Sequence, residues 1–175
     1  RFTSTIWADP IIDSTNHSYN WTVKNVPASK GFQLLKKPEK CTIYPILENF
    51  QMDNYEGNFA SWENFGEWNY HLNKDRDFLD QESKNEIKKI INHTSDKREI
   101  IHLLYQYLQH NMRYVSIQLG IGGFQTMTAM EVHKNKYGDC KALSNYMKAM
   151  LNIANIPSAY ILVSAGDKNY FDPLP

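Results

Sequence analysis

An α+β fold is predicted for this 175-residue sequence from three observations. The first third is poor in helix signals and rich in short period-two alternations. From Ser61 onward, successive segments place apolar residues at helical spacing. The most regular of these segments, opening at Cys140, is followed at residues 158–163 by a run that reads as a strand. The expected architecture is therefore a partial antiparallel β-piece, then a helical layer in which the Cys140 helix packs on a small antiparallel sheet. Two units are expected, 1–55 and 56–175.

In the first unit, Tyr19, Trp21 and Val23 alternate with Asn20, Thr22 and Lys24, the pattern of a strand with one buried face. Residues 25–31, with Pro27, read as a turn, and 41–50 as a strand that Pro45 confines to an edge or bulge. Cys41 there is most simply a packed thiol. The polar stretch Met52 to Ala60, containing Gly57, reads as a linker.

Ser61 caps the next helix, whose Trp62, Phe65, Trp68 and Leu72 form one aromatic face; helical aromatic spacing of this kind points to a seam between units rather than to a ligand platform. Residues 80–93 form a polar helix with Ile87, Ile90 and Ile91 as its thin apolar edge. Asp96 and Glu99 resemble a capping box for a third helix with Ile100, Leu104, Tyr107, Leu108 and Met112 on its core face. From Arg113 to Leu119 the residues alternate, with Val115, Ile117 and Leu119 inward and Gln118 turned toward the cysteine loop or solvent. The run Gly120-Ile121-Gly122-Gly123 lacks both the Walker lysine and the third fingerprint glycine, so it is read as a tight turn and not a phosphate loop. A short helix then covers 126–135, capped by Thr126 or Thr128.

Residues 136–162 organise the rest. Leu143, Tyr146, Met147, Met150, Leu151 and Ala154 make a one-sided stripe, Asp139 is a suitable N-cap, and Asn155 with Pro157 supplies the stop. Cys140 thus falls at or beside the first helical residue, where unpaired amides and the positive end of the helix dipole favour thiolate and can hold an oxyanion. Gly138 leaves room where the loop turns and a substrate approaches. The competing reading is a small buried hydrophobe, the commonest role of a lone cysteine.

Tyr137-Gly138-Asp139-Cys140-Lys141, the amphipathic helix behind it and Asn155-Ile156-Pro157 resemble the nucleophile segment of the bacterial transglutaminase-like superfamily, which shares a papain-like Cys-His-Asp arrangement. Ala142, Leu143 and Asn155 depart from the commonest pattern at packing and capping positions. The run Arg113 to Gln125 is similar to the segment preceding the cysteine in a branch whose core follows a β-rich domain, DUF3857, and the first 55 residues loosely resemble the trailing strands of that domain. The resemblance implies a papain/transglutaminase-like core and acyl transfer or amide and peptide hydrolysis through a thioester at Cys140. It also implies a protein, peptide or other amide substrate and a periplasmic or secreted setting. Asp172-Pro173-Leu174-Pro175 looks like the stretch that precedes the catalytic histidine, so the resemblance implies a chain truncated before the catalytic histidine and aspartate. The alternative is a non-catalytic binding or scaffolding module with the same fold.

Of the six histidines, His133 is nearest Cys140 in sequence and is the candidate base within the chain; Gln118 is the other candidate site-lining residue. His102 and His110 lie eight apart on one helix, too far for a shared ligand site, and neither cysteine has a CxxC partner, so no metal and no cofactor are expected. Lysine plus arginine equals aspartate plus glutamate at 19 each, so no global field draws nucleic acid. No apolar run reaches the roughly eighteen residues of a membrane span.

Overall fold

The computed structural model describes residues 2–4, 11–13, 15–16, 18–24, 43–45 and 47–163. The fold is α+β, five helices with small antiparallel ladders among the described residues. Strand β1 (Phe2–Ser4) pairs with β4 (Ile43–Pro45), and β2 (Ile11–Asp13) pairs with β3 (Ser18–Asn20), both antiparallel. Pro45 sits at the end of its two-stranded ladder, the place open to a residue without an N–H. The alternation at residues 19–24 survives only in part: β3 ends at Asn20, while Trp21 and Val23 remain more covered than Thr22 and Lys24. Cys41, the 25–31 turn and everything expected beyond residue 163 lie outside the described residues.

The expected linker is instead a hairpin. Strands β5 (Asn49–Met52) and β6 (Tyr55–Asn58) pair antiparallel across a turn in which Asp53 takes a left-handed φ of 52°, so the 55/56 boundary falls inside one ladder. Asp-Asn is a turn pair that tolerates this conformation, and it was the signal hidden in the polar stretch. Gly57 lies opposite Phe50, whose ring occupies the space of a Cβ.

Helix α1 (Trp62–Asn73) is capped by Ser61, whose hydroxyl accepts from the Asn64 amide at 3.2 Å. Its aromatic face meets the hairpin. Phe50 stacks on Phe59 at 4.6 Å and meets Trp68 edge-on at 5.1 Å, Phe59 lies 5.0 Å from Phe65, and Trp68 lies 5.2 Å from Phe124. Trp62, expected on this face, is half exposed at its outer end.

The main core is built by α2 (Gln81–Ile91), α3 (Lys97–Asn111) and α4 (Ala129–Asn135) around α5 (Cys140–Ile153). Leu79, Ile87, Ile100, Leu104, Met112, Val132, Tyr146 and Met150 fill it. Because α5 touches all three other helices, its buried face is wider than the predicted stripe and is centred on Ala142, Tyr146, Ala149 and Met150. Leu143, Met147 and Leu151 form its half-buried flank. Small residues at 142 and 149 are what let neighbouring backbones approach, a signal that a count of large apolar residues overlooks.

Two expected strands are shorter or absent. Only β7 (Arg113–Tyr114) forms from the 113–119 alternation, pairing parallel with β8 (Tyr137–Gly138). Beyond it the chain leaves for a 3-10 turn at Gly120–Gly123, so Ile117 is partly exposed and Leu119 is 87% exposed instead of facing the core. Residues 158–163 keep a trace of alternation, with Ser158 and Tyr160 partly covered, but pair with nothing among the described residues. A strand needs a neighbour to complete its ladder, and period-two patterning alone does not supply one.

Candidate active site

The β8–α5 junction fixes the candidate nucleophile. Val115 N–H donates to the Gly138 carbonyl at 3.0 Å and Arg113 N–H to that of Lys136 at 2.8 Å, which holds the strand leading into the helix. Lys136 reverses the chain after α4 with a left-handed φ of 59°. Gly138 is buried, and a Cβ there would meet Ala142 Cβ at 2.8 Å and Val132 Cγ2 at 3.4 Å. Its φ is not left-handed, and the missing side chain is what lets α5 and α4 close on β8.

Asp139 caps α5, its Oδ1 accepting from the Ala142 amide at 2.9 Å. The Leu143 amide returns to the Asp139 carbonyl at 2.9 Å. The amides of Cys140 and Lys141 are left without a protein acceptor among the described residues, the ordinary state of first-turn donors. Cys140 is the first residue of the helix and is exposed. An exposed sulfur over two free N–H groups can attack a carbonyl carbon and offer hydrogen bonds to the resulting oxyanion. At its other end α5 closes on Asn155, φ 56°, with the Ile156 amide donating to the Leu151 carbonyl at 2.9 Å.

Asp139 is almost fully buried and its Oδ2 forms an ion pair with Lys141 Nζ, itself 8% exposed. Sequence reasoning carried Lys141 only as a residue of the motif and gave it no role. It also missed Tyr160, a half-buried phenol whose titration is pushed up first by burial and then by the negative charge of Cys140 and Asp139. Tyr160 also lines a cavity of about 570 Å³ between α1, α5 and residues 160–162, together with Phe65, Asn69, Asn73, Asn145 and Lys148. Cys140 is not among the residues lining that cavity.

The two other candidates are not brought to the thiol. Gln118 is exposed in the loop after β7 and makes no side-chain hydrogen bond among the described residues. His133 is buried on α4: Nδ1 and the Tyr146 hydroxyl are hydrogen-bonded at 2.8 Å, and Nε2 faces the Glu86 carboxylate at 3.3 Å. Tyr146 lies six residues along α5 from Cys140, about 9 Å of rise and on another face of the helix. With one ring nitrogen accepting and the other donating, a neutral imidazole is satisfied; burial is the main cause that lowers its titration below 6.5, with Lys136 adding to it. Among the described histidines none hydrogen-bonds Cys140; His71 faces Glu67, and His110 bonds the Gln106 carbonyl at 2.7 Å.

Residues 85–172, which include α3, α4 and α5, match the family model of the transglutaminase-like superfamily. The chain belongs to that superfamily, whose general fold is cysteine-protease-like. Neither the curated proteins nor the solved structures contain a match to the chain. No helix among the described residues is long and apolar enough to cross a membrane.

Proposed function

We propose that the protein acts through Cys140 as a cysteine nucleophile, transferring an acyl group or hydrolysing an amide or peptide bond. The thiolate adds to the carbonyl carbon, the amine leaves with a proton, and the thioester is resolved by water or by an acceptor amine. The observation that supports this reading is an exposed cysteine at the first position of a helix whose cap and next two residues are buried, in a chain of the transglutaminase-like superfamily. The division into a β-rich piece and a core, 1–55 and 56–175, belongs to the same proposal, with the β5–β6 hairpin carrying the first piece across that boundary.

A second reading, a non-catalytic binding or scaffolding module, is favoured by the engagement of His133 with Tyr146 and Glu86, which leaves no described imidazole bonded to the thiol. General acid–base help of the missing kind is typically worth about 10²–10⁴-fold. The test is hydrolysis and amine transfer on glutamine-containing peptides by the chain and its Cys140→Ala variant. Turnover that disappears in the variant supports the enzyme. Peptide binding without turnover in both supports the module, and turnover that survives in the variant overturns the assignment to Cys140.

A further inference from the structure

We propose that Lys141 is a positioning residue for the Cys140 thiolate, held on Asp139 so that the buried carboxylate capping α5 does not repel the charge that must form on the sulfur. This rests on the reading of Cys140 as the nucleophile and goes beyond it by assigning the charge balance of the helix start.

Among the described residues, three helices are capped by aspartate. Asp80 and Asp96 accept first-turn amides at 2.8–2.9 Å while in contact with water, and neither forms an ion pair among the described residues. Water screens such carboxylates, so they need no cation. Asp139 makes the same cap while only 3% exposed. Buried carboxylates are costly unless paired, and lysine is almost never buried at the 8% level without a partner. A lysine in the first turn also opposes the positive end of the helix dipole. In α3 the first-turn cations Lys97 and Arg98 stay in solvent; in α5 Lys141 is folded inward onto Asp139. A local rule broken at a buried position beside a reactive group points to a functional constraint.

Among the described residues, the charged and titratable groups acting at this point beside the thiol are Asp139 and Lys141 from α5 and its cap, and Tyr160 from the segment after α5. Tyr160 keeps its proton, so it adds no charge of its own at neutral pH. Cys140 lies between Asp139 and Lys141 in sequence, at the start of the same first turn, so a charge left on either member of the pair acts on the sulfur at short range. With Lys141 in place the carboxylate is neutralised and the helix-start amides dominate at the sulfur. Without it, the thiolate forms beside a bare anion.

The experiment is the rate of Cys140 alkylation by iodoacetamide against pH in the full chain, read by peptide mass spectrometry so that Cys41 is scored separately. In this reaction the thiolate forms a C–S bond and iodide leaves. Lys141→Met should move the midpoint of the profile up by about one to two pH units, a roughly ten- to hundredfold loss of rate at neutral pH. Asp139→Asn keeps a good cap and leaves the lysine charge unopposed, so its midpoint should move down. Lys141→Arg should restore the wild-type profile. Opposite shifts from the two neutralising variants are what a merely structural pair would not give. Unchanged profiles in both folded variants, or shifts of the same sign, overturn the assignment; if Lys141→Met does not fold, the sign of the Asp139→Asn shift decides it alone. Failure of Cys140 to alkylate in the wild type would instead overturn the nucleophile reading.

Discussion

The starts of α3 and α5 obey the same local rule and differ in everything around it. Each opens on an aspartate whose carboxylate collects first-turn amides at 2.8–2.9 Å, and each follows it with a basic residue within two positions. At α3 the cap, Lys97, Arg98 and Glu99 all stand in solvent, and the cap serves only to end a helix. At α5 the cap, its lysine and the preceding glycine are buried, and the cysteine between them is the exposed residue. Capping chemistry is thus read equally well at both sites, but only at α5 are the cap and its cation buried, on either side of an exposed thiol in the sequence.

The largest effect should come from removing the two caps in turn. Asp96→Ala should cost about 1 kcal/mol in urea unfolding, the ordinary value of a lost cap. Asp139→Ala should cost about 3–5 kcal/mol, because it strands a buried ammonium as well. Equal losses would mean that the buried pair adds nothing at α5. The two glycines should then separate in sign. Gly138→Ala forces a Cβ against Ala142 and should destabilise by about 1–3 kcal/mol. Gly66→Ala, in α1 with nothing within 4 Å of the new methyl, should stabilise by about 0.5–1 kcal/mol.

Acid provides a smaller and graded test. His133 titrates below its ordinary value of 6.5 in the folded protein, so between the two values the unfolded chain binds more protons and stability rises with pH. Stability should therefore fall as pH drops below about 6.5, by at most about 1.4 kcal/mol per pH unit for one proton. The groups facing His133 are Tyr146 on α5, Glu86 on α2, Asp80 and Lys136. His133→Gln should flatten that slope above the carboxylate range; an unchanged slope would show that another group carries it. The smallest effect belongs to the thiol: Cys140→Ala should leave stability within about 0.5 kcal/mol of the parent, as for an exposed residue.

Much of this contrast was legible in the sequence, and the gaps have definite causes. Ser61, Asp96, Asp139 and, as one of two candidates, Thr128 were readable as caps because capping depends on a few adjacent residues, while Asp80 was read as the first residue of its helix; helices α1 to α5 followed from these and from apolar spacing. The 113–119 and 158–163 strands were over-read because alternation states a preference and not a partner. The β5–β6 hairpin was missed because its aromatic pairing, Phe50 over Gly57, joins residues separated by a polar turn. Lys141, Tyr160 and the burial of His133 were invisible for a different reason. A side chain's exposure is set by what packs on it from distant parts of the chain, and lysine, tyrosine and histidine each have a familiar surface role that masks it.

The connection from Phe124 to Met127 has the length and placement of a loop that could be lengthened freely, since such segments normally accept insertions. Here successive positions are tethered by carboxamides. Asn73 donates to the Phe124 carbonyl at 3.4 Å and accepts from the Thr126 amide at 2.8 Å, Gln125 donates to the Leu72 carbonyl at 3.1 Å, and Asn145 donates to the Met127 carbonyl at 3.4 Å. A single inserted residue would shift the register of all of these at once and unlatch α5 from the end of α1. For anyone grafting a tag or splitting the chain, the permissive position is the solvent-facing turn at Asp53 and Asn54, not this short crossing.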